Sequence, residues 1–141
     1  MKKIVYFIFS AIIISSCASN SKDDPLAPST TTDGRDRFVA AWDVTENSSL
    51  LLEPATHKVT ISKSSALSTE IIIDNFSDLQ KQVRATVNGN TFIIPLQNLG
   101  KATEIIGQTQ GSGTLTSVNK ISLTYTNTIS GTDNISATYI K

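Results

Sequence analysis

Val83-Arg84-Ala85-Thr86-Val87-Asn88-Gly89-Asn90-Thr91-Phe92-Ile93-Ile94-Pro95 decides the fold. Val83, Ala85 and Val87 alternate with Arg84 and Thr86, the period of a strand with one buried face. Asn88-Gly89 then separates this run from a second β-rich run, Thr91 to Pro95. Asn-Gly between two such runs is the strongest short hairpin signal, because a type I′ turn needs positive φ at both central residues.

The same period extends outward in both directions. Phe38, Ala40, Trp42 and Val44 share one face. Val59 and Ile61 alternate with Lys58, Thr60 and Ser62. Glu70 to Asp74 is a short run of β-branched residues, and Glu104-Ile105-Ile106 leads into Gly111 to Thr116. Ile121, Leu123 and Tyr125 alternate with hydroxyl residues, as do Ile135, Ala137 and Tyr139. Pro54, Asn98 to Gly100, the glycines around 107–113, Ser117 to Asn119 and Ser130 to Asn134 punctuate the runs. Asn75 to Gln80 is long enough for one helical turn, capping one end. The count is about eight antiparallel strands with no crossover helix, which argues against a parallel sheet. An all-β, up-and-down meander closed as a small barrel follows, with a two-sheet sandwich as the alternative.

Trp42, Phe92, Tyr125 and Tyr139 fall on inward positions. An eight-stranded barrel is just wide enough to be filled by side chains or to hold one small ligand. These four residues either fill the core or line a ligand-binding cavity open to an apolar or amphipathic molecule. Twelve of the thirty residues from Gly111 to Ile140 are Ser or Thr, which predicts a solvated outer face rather than a hydrophobic docking patch.

The first strand, Phe38 to Val44, resembles the opening strand of lipocalin-like barrels, in which a Gly-X-Trp triplet closes one barrel end. Here Ala40 stands at the glycine, and no arginine follows Arg84 to cover the tryptophan from late in the chain. The resemblance to small lipocalin-like domains of bacterial outer-membrane lipoproteins spans 37–141. It implies a barrel that binds a small ligand.

Chemistry-bearing clusters are missing from the pattern. His57 is the only histidine and Cys17 the only cysteine. A zinc site of the usual nitrogen and sulfur type therefore cannot be assembled in one chain. No serine has the surroundings of a nucleophile elbow, and the glycines at 107–113 lack the lysine of a phosphate loop. Asp74 and Asp78 read as caps, His57 as a loop or strand-entry residue, and Asp33 to Asp36 as a solvated turn. Neither a catalytic site, a cofactor nor a metal is expected. Removing Lys2 and Lys3 with the leader leaves ten basic against twelve acidic side chains, net −2, with no basic stripe for nucleic acid.

The N-terminus supplies an address. Lys2-Lys3 precedes an apolar run from Ile4 to Ile14, suited to a secretory leader of about 7–15 apolar residues and short of the roughly 20 needed to span a bilayer. Ile14-Ser15-Ser16-Cys17 resembles the lipobox of bacterial lipoproteins. That resemblance implies a signal peptide at 1–16, cleavage before Cys17 and acylation of that cysteine. The acyl chains on Cys17 would then be the membrane contact. Cys17 is followed by residues 18–36, which apart from Leu26 are small, polar or proline, and 17–36 reads as the lipidated cysteine and its tether. Within it, Lys22-Asp23-Asp24 resembles the short acidic export signal of surface lipoproteins. The expected location is the bacterial outer membrane, facing the cell surface. The expected role is non-catalytic: binding of a small apolar or amphipathic ligand, or an interaction module of a cell-surface protein complex.

Overall fold

The alternation of the sequence becomes alternation of burial. In β1 (Ala40–Ser48) the side chains of Trp42, Val44 and Glu46 are buried while Asp43, Thr45 and Asn47 face solvent. A computed structural model describes residues 32–141. The segment read as a signal peptide, Cys17, Lys22, Asp23, Asp24 and the segment read as a tether as far as Thr31 lie outside the described residues.

Seven further strands follow: β2 (Ala55–Lys63), β3 (Glu70–Asp74), β4 (Val83–Asn88), β5 (Thr91–Lys101), β6 (Glu104–Ser117), β7 (Lys120–Asn127) and β8 (Asp133–Ile140). Each pairs antiparallel with the next, and β8 returns to β1, from Asp43 opposite Ile140 to Ser48 opposite Ile135. The eight strands form a closed meander barrel, not a two-sheet sandwich. Among the described residues, closure leaves no unpaired edge strand.

Local features differ from the sequence reading: Asn98 to Gly100 and the glycines at 107, 111 and 113, expected to punctuate the runs, lie within β5 and β6. Asn88 is a strand residue opposite Thr91, so the turn is centred on Gly89-Asn90. Of that pair only Gly89 has positive φ, at 59°, and the type I′ geometry expected from Asn88-Gly89 is therefore not formed. In β5 the register slips between Ile94 and Gln97, leaving Pro95 and Leu96 as a bulge. Proline has no N–H to give to a ladder, so a bulge is where a strand tolerates it.

The interior at one end is closed by the segment preceding β1. Phe38 is fully buried and meets the Phe92 ring edge-on, with centroids 5.5 Å apart. The Trp42 indole N–H donates to the Phe38 carbonyl at 2.9 Å, and the Lys141 ammonium sits 4.5 Å above the Trp42 ring. A cation from late in the chain thus covers the tryptophan, as a lysine where the sequence reading looked for an arginine. On the neighbouring strand β6, directly opposite Phe92, a Cβ on Gly113 would lie 2.2 Å from the Phe92 ring, so only glycine leaves room for this aromatic packing.

The turn at Asp33 to Asp36 is only partly solvated: Asp36 is exposed, while Asp33 and Arg35 are half-buried. The Arg35 guanidinium pairs with Asp33 at 2.7 Å and donates to the carbonyls of Ser64, Leu67 and Glu70 at 3.0, 2.9 and 3.2 Å. It ties the segment before β1 to the β2–β3 connection, and its side chain is only 11% exposed.

Candidate functional site

At the other end of the barrel the inward positions turn polar. In β1 the inward series Trp42, Val44 continues to Glu46. In β7 the series Ile121, Leu123, Tyr125 continues to Asn127, and in β2 the position before Val59 on the same face is His57. These side chains are inside because the pleat sends every second residue there, whatever its chemistry.

The connection between β3 and β4 covers this end. Its short 3-10 turn, Phe76–Asp78, inserts Phe76, which is fully buried against Tyr125 with ring centroids 4.6 Å apart. Asn75, Ser77, Asp78 and Gln80 all have φ between 54° and 59°. Four left-handed, non-glycine residues in six are a concentration of backbone strain, since each such conformation costs of order 1–3 kcal/mol.

Ser77 completes a buried hydrogen-bonded group. The Tyr125 phenol donates to Glu46 Oε1 at 2.6 Å. Ser77 Oγ lies 2.9 Å from the phenol oxygen and 3.5 Å from Glu46 Oε2, and accepts from the Asn127 amide at 3.2 Å. His57 Nε2 stands 3.7 Å from Glu46 Oε1, beyond hydrogen-bond length. Burial raises the pKa of Glu46 above the ordinary carboxylate range, opposed by the Tyr125 hydrogen bond and by the charge of His57. Burial and then the Glu46 charge push the Tyr125 phenol well above its usual value, and Tyr139 shifts the same way for the same reasons. The proton between Glu46 and Tyr125 therefore belongs to the phenol.

Four buried atoms in this region have no hydrogen-bond partner among the protein's own groups: His57 Nδ1 and Nε2, Asn127 Oδ1 and the Tyr139 hydroxyl. Buried polar groups are normally paired, and each exception costs about 1–3 kcal/mol. Ser77 makes no hydrogen bond to His57, so the serine–histidine–carboxylate relay of a hydrolase is not assembled here. Among the described residues no three of His, Cys, Asp and Glu are grouped to hold a metal ion.

The four aromatic residues singled out from the sequence are all inside. Trp42 and Phe92 pack in the closed end with Phe38, Tyr125 belongs to the polar group, and Tyr139 is fully buried. Clefts open on the outer wall of the described residues. One of about 800 Å³ crosses β5, β6, β7, β8 and β1, and one of about 680 Å³ lies over β3 to β6 among Lys81, Arg84 and Lys101. Of the four aromatics only Tyr125 borders either cleft. Glu46, Ser77 and Asn127 escaped the sequence reading, and His57, read there as a loop or strand-entry residue, is an inward, buried side chain of β2. The signal for Glu46, His57 and Asn127 was parity: each continues an inward series by one step.

What these features define is a small closed barrel, apolar at one end and polar at the other. No protein-family model matches the chain, and no curated protein matches it. Among solved structures it is similar to a redesigned β-barrel, b11L5F_LGL, with a TM-score of 0.58 and 14% identity, covering 80% of this chain and 98% of that one. It is also similar to the redesigned β-barrel mFAP1, bound to DFHBI, with a TM-score of 0.59 and 15% identity, covering 78% of this chain and all of that one. At such identities the likeness is one of fold.

Proposed function

We propose that this protein is a lipid-anchored, non-catalytic barrel of the bacterial envelope that binds a small amphipathic ligand at its polar end. The observation that carries the reading is the buried group of Glu46, His57, Tyr125, Asn127 and Tyr139, with four polar atoms unpaired, beneath a strained turn. A ligand with a hydrogen-bonding head would pair those atoms while its apolar part met the core. Strained backbone of the kind seen from Asn75 to Gln80 is common at ligand clamps. In mFAP1 a barrel of the same fold is bound to DFHBI. The anchoring part rests on Ile14-Ser15-Ser16-Cys17, and the surface-facing outer-membrane location on Lys22-Asp23-Asp24.

A second reading, an interaction module of a surface complex with a filled core, is favoured by the near-complete burial of Trp42, Phe92 and Tyr139 in one hydrophobic cluster. Native mass spectrometry of the protein taken from its own cells separates the two. A copurifying small molecule, lost in a His57→Phe, Asn127→Leu variant, supports the first. A copurifying protein with no small molecule overturns it in favour of the second.

A further inference from the structure

The cleft of about 800 Å³ on the outer wall is built from a regular lattice of short polar side chains. Strand register aligns Ile93, Ser112, Thr124, Ser136 and Asn47 in one row across five neighbouring strands. Gln110, Thr126 and Asn134 form a second row beside it. At about 4.8 Å between strands, the first row is roughly 19 Å long. The β5 bulge forms the apolar lip: Leu96, 62% exposed, with Pro95 beside it and Ile93, 60% exposed, at the end of the first row.

The lining restricts what can bind. No Asp, Glu, Lys, Arg or His lines the cleft, so a charged ligand would find no counter-charge. The exposed floor has no aromatic side chain, and the arginine and aromatic anchors of protein interfaces are absent. The paired strands have committed their backbone groups to the barrel ladders, so an added peptide strand has no edge to join. An apolar molecule would desolvate the hydroxyl and amide rows without pairing them. The remaining match is a molecule with many groups that both donate and accept, carrying aliphatic faces and no charge. Ser and Thr hydroxyls and Asn and Gln amides complement such groups directly.

We propose that this face binds a neutral oligosaccharide, whose hydroxyls pair with the two polar rows while a sugar-ring face rests on the Ile93–Pro95–Leu96 lip. The test is calorimetric titration of the full chain in detergent. The probes are linear neutral hexasaccharides of glucose, mannose and N-acetylglucosamine, with a sulfated hexasaccharide as the charged control. Binding of a neutral series is expected, weakened about tenfold in Gln110→Ala, Asn134→Ala, a loss equivalent to about one net hydrogen bond. Both side chains are exposed, so the variant keeps its fold, checked by an unchanged circular dichroism spectrum. His57→Phe, inside the barrel, leaves saccharide affinity unchanged even if it abolishes an interior ligand. Failure of every neutral probe to bind overturns the proposal. So does binding of the sulfated probe alone, or equal affinity in the double variant.

Discussion

The Tyr125 phenol reaches Glu46 Oε1 at 2.6 Å inside the barrel, which makes a buried carboxylate the centre of the polar end. Its pKa is raised, chiefly by burial. The folded state then holds the Glu46 carboxyl proton more tightly than the unfolded chain does. Stability contributed by the protonated carboxyl is present below the unfolded carboxylate pKa and is lost as pH rises through the folded value. Thermal melts taken at increasing pH from about 4, the ordinary carboxylate value, should show this decline. Glu46→Gln should abolish that part of it, because the amide keeps an acceptor for Tyr125 and has no proton to lose. A variant whose pH profile follows the wild type would remove Glu46 as its source.

Two tyrosines in the same interior should respond oppositely to loss of their hydroxyls. Tyr125→Phe strips a donor from Glu46 and a neighbour from Ser77, and should cost about 1–3 kcal/mol in urea denaturation. Tyr139 is fully buried and its hydroxyl has no protein partner. Tyr139→Phe should therefore be neutral or stabilising in ligand-free protein. If protein from its own cells loses stability on this substitution while ligand-free protein does not, the hydroxyl serves the bound ligand.

The barrel was legible in the sequence because its cause is local: Trp42 and Val44, or Leu123 and Tyr125, declare the inward face by period two. The polar end was hidden because parity and residue type disagree there. Parity sends Glu46, His57 and Asn127 inward, while their chemistry suggests solvent, and the pleat prevails. Ser77 and Lys141 had no readable signal. One acts through a turn that folds over the barrel mouth, the other through a 4.5 Å approach to Trp42 from a residue ninety-nine positions away. The Asn88-Gly89 hairpin was placed correctly and slipped by one residue, since the pair does not state which of its members ends the strand.

Arg35 should matter more than a surface arginine. Its three carbonyl acceptors, Ser64, Leu67 and Glu70, all lie on the β2–β3 connection and its margins. Arg35→Ala should lower stability, because three backbone carbonyls lose their charged donor. Lysine has a single nitrogen and cannot reproduce the planar fork, so Arg35→Lys should recover only part of the loss. Denaturant midpoints check both. A midpoint unchanged in Arg35→Ala would mean the segment before β1 is not held by this contact.

The strained β3–β4 connection offers the sharpest separation of stability from binding. Gln80 is exposed and has φ 54°, a conformation that costs an L-residue roughly 1–2 kcal/mol and glycine almost nothing. Its backbone N–H donates to Asn75 Oδ1 at 2.9 Å, a bond that glycine retains. Glycine's greater freedom in the unfolded chain offsets part of the gain. Gln80→Gly should therefore stabilise by up to about 1 kcal/mol in urea denaturation. Phe76→Ala should do the reverse, costing about 3–5 kcal/mol as the ring leaves its site against Tyr125. If the turn gates the polar end, Phe76→Ala should also speed amide hydrogen exchange around Tyr125 and Asn127 more than around Trp42 and Phe92. Equal acceleration at the two ends would mean that Phe76 is a core residue and the turn is no gate.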